Sequence, residues 1–115
     1  MTTKASEGQV SKEDVADYLA SGERTIALAA MRGEHRLITG DVIAESIDHS
    51  RSGMEQFYAL LVAREGWSSL PPVTKRQVVQ AIERDGQGRR FMTAGTARAV
   101  VAKEVLDLAR QEGTL

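Results

Sequence analysis

Apolar residues recur at helical spacing along most of this chain, and the alternating apolar and polar runs of a half-buried strand are missing. Aromatic residues make up only 4% of the chain while alanine is abundant, a balance that favours helix over sheet. The expected fold class is all-α, a single domain of about five to six helices containing a helix-turn-helix. At 115 residues the chain is long enough for one core and too short for two.

The punctuation places the helices. Ser11 followed by Glu13 and Asp14 reads as an N-cap with an acidic first turn, opening a helix to about Leu19, which Ser21-Gly22 breaks. A second helix is expected over 23–32, with Ile26, Ala29 and Ala30 inward and Gly33 as its stop. A polar link over 34–36 follows, then a third helix capped by Thr39 and running through Ile47. Ser50 is the expected cap of a fourth, to about Arg64, ending at Gly66. The proline pair closes the connection over 67–72, and Thr74 with Gln77 matches a capping box that opens a fifth helix over 74–84. Residues 85–88 compose a turn, and Thr93 or Thr96 begins a last helix through about Gln111, the later start giving 96–111. Residues 1–10 read as a mobile arm ahead of a helical domain over 11–115. That arm has neither the apolar core nor the cleavage site of a secretory signal.

Charge and cysteine content restrict function. With no cysteine, the chain has no disulfide, no thiolate nucleophile and no cysteine zinc site, which fits a reducing compartment, so a cytoplasmic location is expected. No apolar run approaches the roughly 18–20 residues needed to cross a bilayer, so no membrane role is expected. A net charge of −1 argues against a general nucleic-acid coat, since phosphate neutralisation supplies most of that kind of affinity. A sequence-specific reader with its cations on one face is compatible with the same total.

The stretch VIAESIDHSRSGMEQFYALL, which starts at Val42, holds two short apolar-periodic runs separated by Asp48-His49-Ser50. Two helices crossing steeply over a short turn want a small residue at the crossing, and Ala44 between Ile43 and Ile47 supplies one. After the turn, Met54, Phe57 and Leu61 fall at i, i+3 and i+7, the spacing of one buried stripe. A helix-turn-helix over 41–64 is the expected arrangement.

The longer run IAESIDHSRSGMEQFYALLVAREGW resembles the helix-turn-helix segment of small bacterial regulators of the MarR, Rrf2 and TetR kinds. It differs from them in carrying Asp48 where the turn usually has glycine, in placing His49 at a usually apolar position, and in lacking strand sequence for a wing. The resemblance implies a transcription regulator binding double-stranded DNA, with Ser50, Arg51, Ser52, Gln56 and His49 on the exposed start of a recognition helix. Arginine there reads guanine, glutamine reads adenine, and serine or the helix N-terminus holds phosphate. Arg36, Arg64, Lys75 and Arg76 would be the phosphate contacts. Regulators of this type commonly dimerise to meet two half-sites, and the aliphatic face of the last helix suits either a homodimer or closure of the chain's own core. A second segment, KEDVADYLASGERTIALAAMRGE, is similar to the helix-turn-helix of excisionase-like proteins and would turn Glu23, Arg24 and Thr25 outward.

Other constellations point away from chemistry. His35 and His49 are the only histidines and neither has a partner at metal-ligand spacing, so no metal is expected even though Asp41, Glu45 and His49 share one potential face. The run GQGRR lacks the phosphate-loop pattern and reads as a turn, whose Arg89 and Arg90 could join Arg84 and Arg98 in a basic patch. No nucleophile–base spacing or paired carboxylates suggest an enzyme, and no cofactor is expected. Trp67 reads as a core anchor beside the prolines. The rival to DNA binding is a helical module with a protein partner and no nucleic acid, of the antitoxin or inhibitor type.

Overall fold

The structure is a computed structural model that describes residues 11–20, 22–38, 40–88 and 95–114. The expected mobile arm over 1–10, the Thr39 cap, the Thr93 start and the Arg89–Arg90 pair lie outside the described residues, as does Ser21. Among the described residues there are six α-helices and no strand, so the chain is all-α. In chain order they are α1 (Lys12–Ala20), α2 (Arg24–Gly33), α3 (Gly40–Asp48), α4 (Gly53–Glu65), α5 (Pro72–Gly88) and α6 (Ala97–Glu112). Short 3-10 turns at His35–Leu37 and Trp67–Ser69 join α2 to α3 and α4 to α5.

Local chemistry explains most of the ends. At α1 the Asp14 N–H donates to Ser11 Oγ at 3.1 Å while the Ser11 N–H donates to Asp14 Oδ2 at 2.9 Å, a reciprocal cap that satisfies two donors. Thr96 caps α6 by accepting from the Ala99 N–H, and Gly113 closes the helix at φ +86°, a left-handed conformation that costs glycine little. Two expected boundaries move. Pro72 is the first residue of α5 instead of a barrier before it, because the first helical N–H has no intrahelical acceptor and its loss costs nothing. The same helix runs on through 85–88, where composition suggested a turn.

One core collects residues from Val15 on α1 to Ala109 on α6. Its axis is α4, in which Ala59, Leu60, Leu61, Val62 and Ala63 are buried in succession. Five consecutive buried positions point in every direction around a helix, so α4 has to be wrapped. The helices that wrap it are α2, α3 and α6, while α5 packs chiefly along α3. On α2 the buried residues are Ala27, Leu28 and Met31; Ile26 is 45% exposed and Ala29 is exposed, contrary to the expected inward face. The buried face carries the large Leu28 and Met31 together with the part-buried Arg24.

Ion pairs tie the outer faces. Arg32 on α2 donates to both carboxylate oxygens of Glu65, at 2.9 and 3.2 Å, and this holds the Glu65 carboxyl below the usual carboxylate range against its partial burial. A folded-state pKa below the unfolded value, about 4.3, means that Glu65 contributes fully above that value and loses its contribution as pH falls through the depressed one. Glu65→Gln is therefore expected to lower stability near neutrality and to flatten the acid limb of the thermal midpoint below about pH 5. Parallel acid limbs for the variant and the parent would show that the pair contributes nothing.

Candidate functional site at the start of α4

The four residues 49–52 join α3 to α4, and Ser52, not Ser50, is the cap: it sits in extended backbone and its Oγ accepts from the Glu55 N–H at 3.1 Å. Ser50 is 1% exposed with a hydroxyl that meets no hydrogen-bond partner among the described residues. Gln56, the expected adenine reader, is fully buried, and its Nε2 donates to the Ile47 carbonyl at 2.8 Å. That bond satisfies a carbonyl in the last turn of α3, which lacks an intrahelical donor, and fixes where α4 crosses it. The expected exposure of Ser50 and Gln56 on a recognition helix is thus corrected: both face inward.

Arg51 and Ser52 are exposed, as is His49. Arg51 is nevertheless engaged. Its Nη2 donates to the Gly22 carbonyl at 2.8 Å, and its Nε lies 3.4 Å from Glu55 Oε1. Glu55 is the residue the sequence hid. It is 2% exposed, accepts the Arg51 backbone N–H at 3.2 Å, and receives Arg24 Nη1 at 3.0 Å. Arg24 continues to Glu45 at 3.1 Å, so one buried carboxylate links α2, α3, α4 and the turn before α2. The placement of Arg24 against Glu55 also corrects the excisionase-like expectation that it points outward. A buried carboxylate of this kind is stable only because charged donors surround it. The signal available in sequence was the Arg51–Glu55 spacing of four.

The expected phosphate contacts lie apart and mostly paired. Arg36 bonds Glu34 at 2.8 Å, Arg64 bonds Glu104 at 2.6 Å, and Lys75 bonds Glu112 at 2.9 Å while lying 5.3 Å from the centre of the Trp67 ring. Lys75 and the Thr114 hydroxyl hold the Glu112 carboxyl below its ordinary range. Arg76 is exposed and has no ion-pair partner among the described residues. Arg84 bonds Asp48 at 2.7 Å across a groove shared with Asp41, Glu45, His49 and Gln80. No group of three or more metal-ligating side chains is placed to hold an ion among the described residues.

What α4 leaves free is apolar. Of its thirteen residues only Met54 and Glu65 are exposed. Met54 is 57% exposed, where the i, i+3, i+7 stripe was expected to bury it; Leu61 in the same stripe is buried and Phe57 is half-buried. Tyr58 is half-buried too, its ring 6.5 Å from that of Phe57. The guanidinium of Arg98 on α6 lies over this end of α4: a Cβ added to Gly53 would sit 2.8 Å from Arg98 Nη1, so a larger residue there would push the arginine head aside. The last helix turns Val101, Ala102, Val105 and Ala109 into the chain's own core.

No protein-family model matches the chain, and neither a curated protein nor a solved structure matches it. No helix among the described residues is long and apolar enough to cross a membrane.

Proposed function

We propose that this chain is a helical protein-interaction module that receives an amphipathic, acid-bearing segment of another protein at the start of α4. The observation that carries this reading is Met54, a large apolar side chain 57% exposed at the head of a stripe that continues into half-buried Phe57 and Tyr58. Exposed apolar residues at helical spacing are what a partner helix covers. The Arg98 guanidinium lies over Gly53 at the same end of α4, and the exposed Arg51 stands three residues ahead of Met54. The pairing of Arg36, Arg64 and Lys75 with carboxylates leaves a mixed surface around the fold, which suits a protein partner better than a phosphate backbone. Panning a displayed-peptide library against the whole chain tests it. The expected product is a convergent apolar motif with acidic flanks whose binding weakens about tenfold or more in Met54→Asp. A motif indifferent to that substitution, or no convergence at all, rejects the site.

A second reading, sequence-specific DNA binding by a homodimer, draws on Arg51 and Ser52, which are exposed ahead of α4 after a short link from α3. Selection from a random duplex pool at two salt concentrations separates the readings. Enrichment of a palindrome with salt-sensitive retention favours DNA, and the absence of both leaves the interaction module.

A further inference from the structure

Away from α4, an open groove of about 500 Å³ runs between the His35–Leu37 turn and the start of α5. Its lining combines aliphatic Ile38, Leu70 and Pro71 with the hydroxyls of Ser69 and Thr74 and the basic side chains of His35 and Arg36. Thr74 is the informative residue. It is only 6% exposed, it lines the groove, and no hydrogen bond reaches its hydroxyl among the described residues. The hydroxyl is not shut off from solvent, so it meets water in the groove, and a ligand acceptor or donor can replace that water.

The backbone beside it also offers donors. Helix α5 is 17 residues long and begins with Pro72, which has no N–H; the first N–H to find an acceptor is that of Lys75, on the Pro71 carbonyl at 3.0 Å. The N–H groups of Val73 and Thr74 meet no acceptor among the described residues. A long helix therefore begins with free N–H groups and its positive dipole end beside the groove that the Thr74 hydroxyl lines. Pro71 offers no side-chain acceptor to intervene.

Charge narrows the ligand. Arg36, the groove's arginine, is paired with Glu34 at 2.8 Å and His35 is the other basic side chain of the lining, a setting that suits a single negative charge better than a multiply charged phosphate. A single carboxylate matches two backbone donors and a hydroxyl, and an aliphatic body of a few carbons matches Ile38, Leu70 and Pro71.

We propose that the groove between the His35–Leu37 turn and the N-terminus of α5 binds a small aliphatic carboxylate, held by the Val73 and Thr74 N–H groups and the Thr74 hydroxyl against Ile38, Leu70 and Pro71. This site is separate from the start of α4 and does not depend on what binds there. The carboxylate could belong to a free acid or to the end of a peptide chain, and hexanoate and N-acetyl-leucine stand for the two sources. The test is titration of the isotope-labelled whole chain with each, and with hexan-1-ol, following the amide resonances of Val73 and Thr74. Saturable shifts of both amides are expected with at least one of the acids, and binding of the alcohol about tenfold weaker or more. The tighter of the two acids identifies the source, and either order supports the site. Thr74→Val should lose about tenfold in affinity at nearly constant shape, while Thr74→Ser, which keeps the hydroxyl, should stay close to the parent. Absence of saturable shifts at both amides in the parent chain, or a folded Thr74→Val that binds as tightly as the parent, overturns the proposal. Loss of binding in Thr74→Ser as well would also overturn it, because the hydroxyl would then not be the contact.

Discussion

Leu60→Ala is expected to lower stability by about 3–4 kcal/mol and the thermal midpoint by about 15 °C. Leu60 is fully buried in the middle of α4, and its neighbours belong to a helix that three others surround. Collapse into the vacated space would require α2, α3 and α6 to move together, so the cavity term adds to the lost transfer free energy. A native stability of about 5–15 kcal/mol makes this a large fraction of the total. Urea unfolding measures it, and a loss below about 1.5 kcal/mol would mean that the core around α4 closes far more easily than its burial suggests.

Glu55→Ala is the second large effect, expected to cost about 3 kcal/mol. The substitution leaves the Arg51 N–H without its acceptor and takes from Arg24 the better buried of its two carboxylate partners. Arg24 keeps Glu45, which sets the cost at the lower end of what breaking a buried pair usually takes. Because the same carboxylate reaches back through Arg51 to the Gly22 carbonyl, α1 and its turn should loosen along with α4. Faster amide exchange at Gly22 than at Leu60 in Glu55→Ala would show that localised release. Equal stability of variant and parent would remove the network from any account of the fold.

Features decided within a few residues were legible in the sequence. The Ser11 cap, the Thr96 cap, the helix end near Gln111 and the break near Gly22 depend on local donors and on glycine, and the structure places them within a residue or two of expectation. What depended on which helix lies against which was not legible. Gln56 is a polar residue in a solvent-like context of Glu55 and Ser52, yet the carbonyl it needs belongs to Ile47, nine residues away on another helix. Glu55 drew no attention because one of its partners, Arg24, is 31 positions distant. Met54 went the other way: its spacing with Phe57 and Leu61 is that of a core stripe, but at this end of α4 the side chain stays 57% exposed. Thr74 read as a cap because Thr74 and Gln77 match a capping box, yet the helix had already begun at Pro72.

The burial of α4 also bears on how the chain is made. Synthesis delivers α2, α3 and α4 well before α6, so the side of α4 that α6 will cover leaves the ribosome with nothing to lie against. The nascent chain then carries an apolar seam in the middle of its core until the last helix arrives. Chaperone dependence during translation, rather than refolding of the finished chain, is where that order of events would be felt.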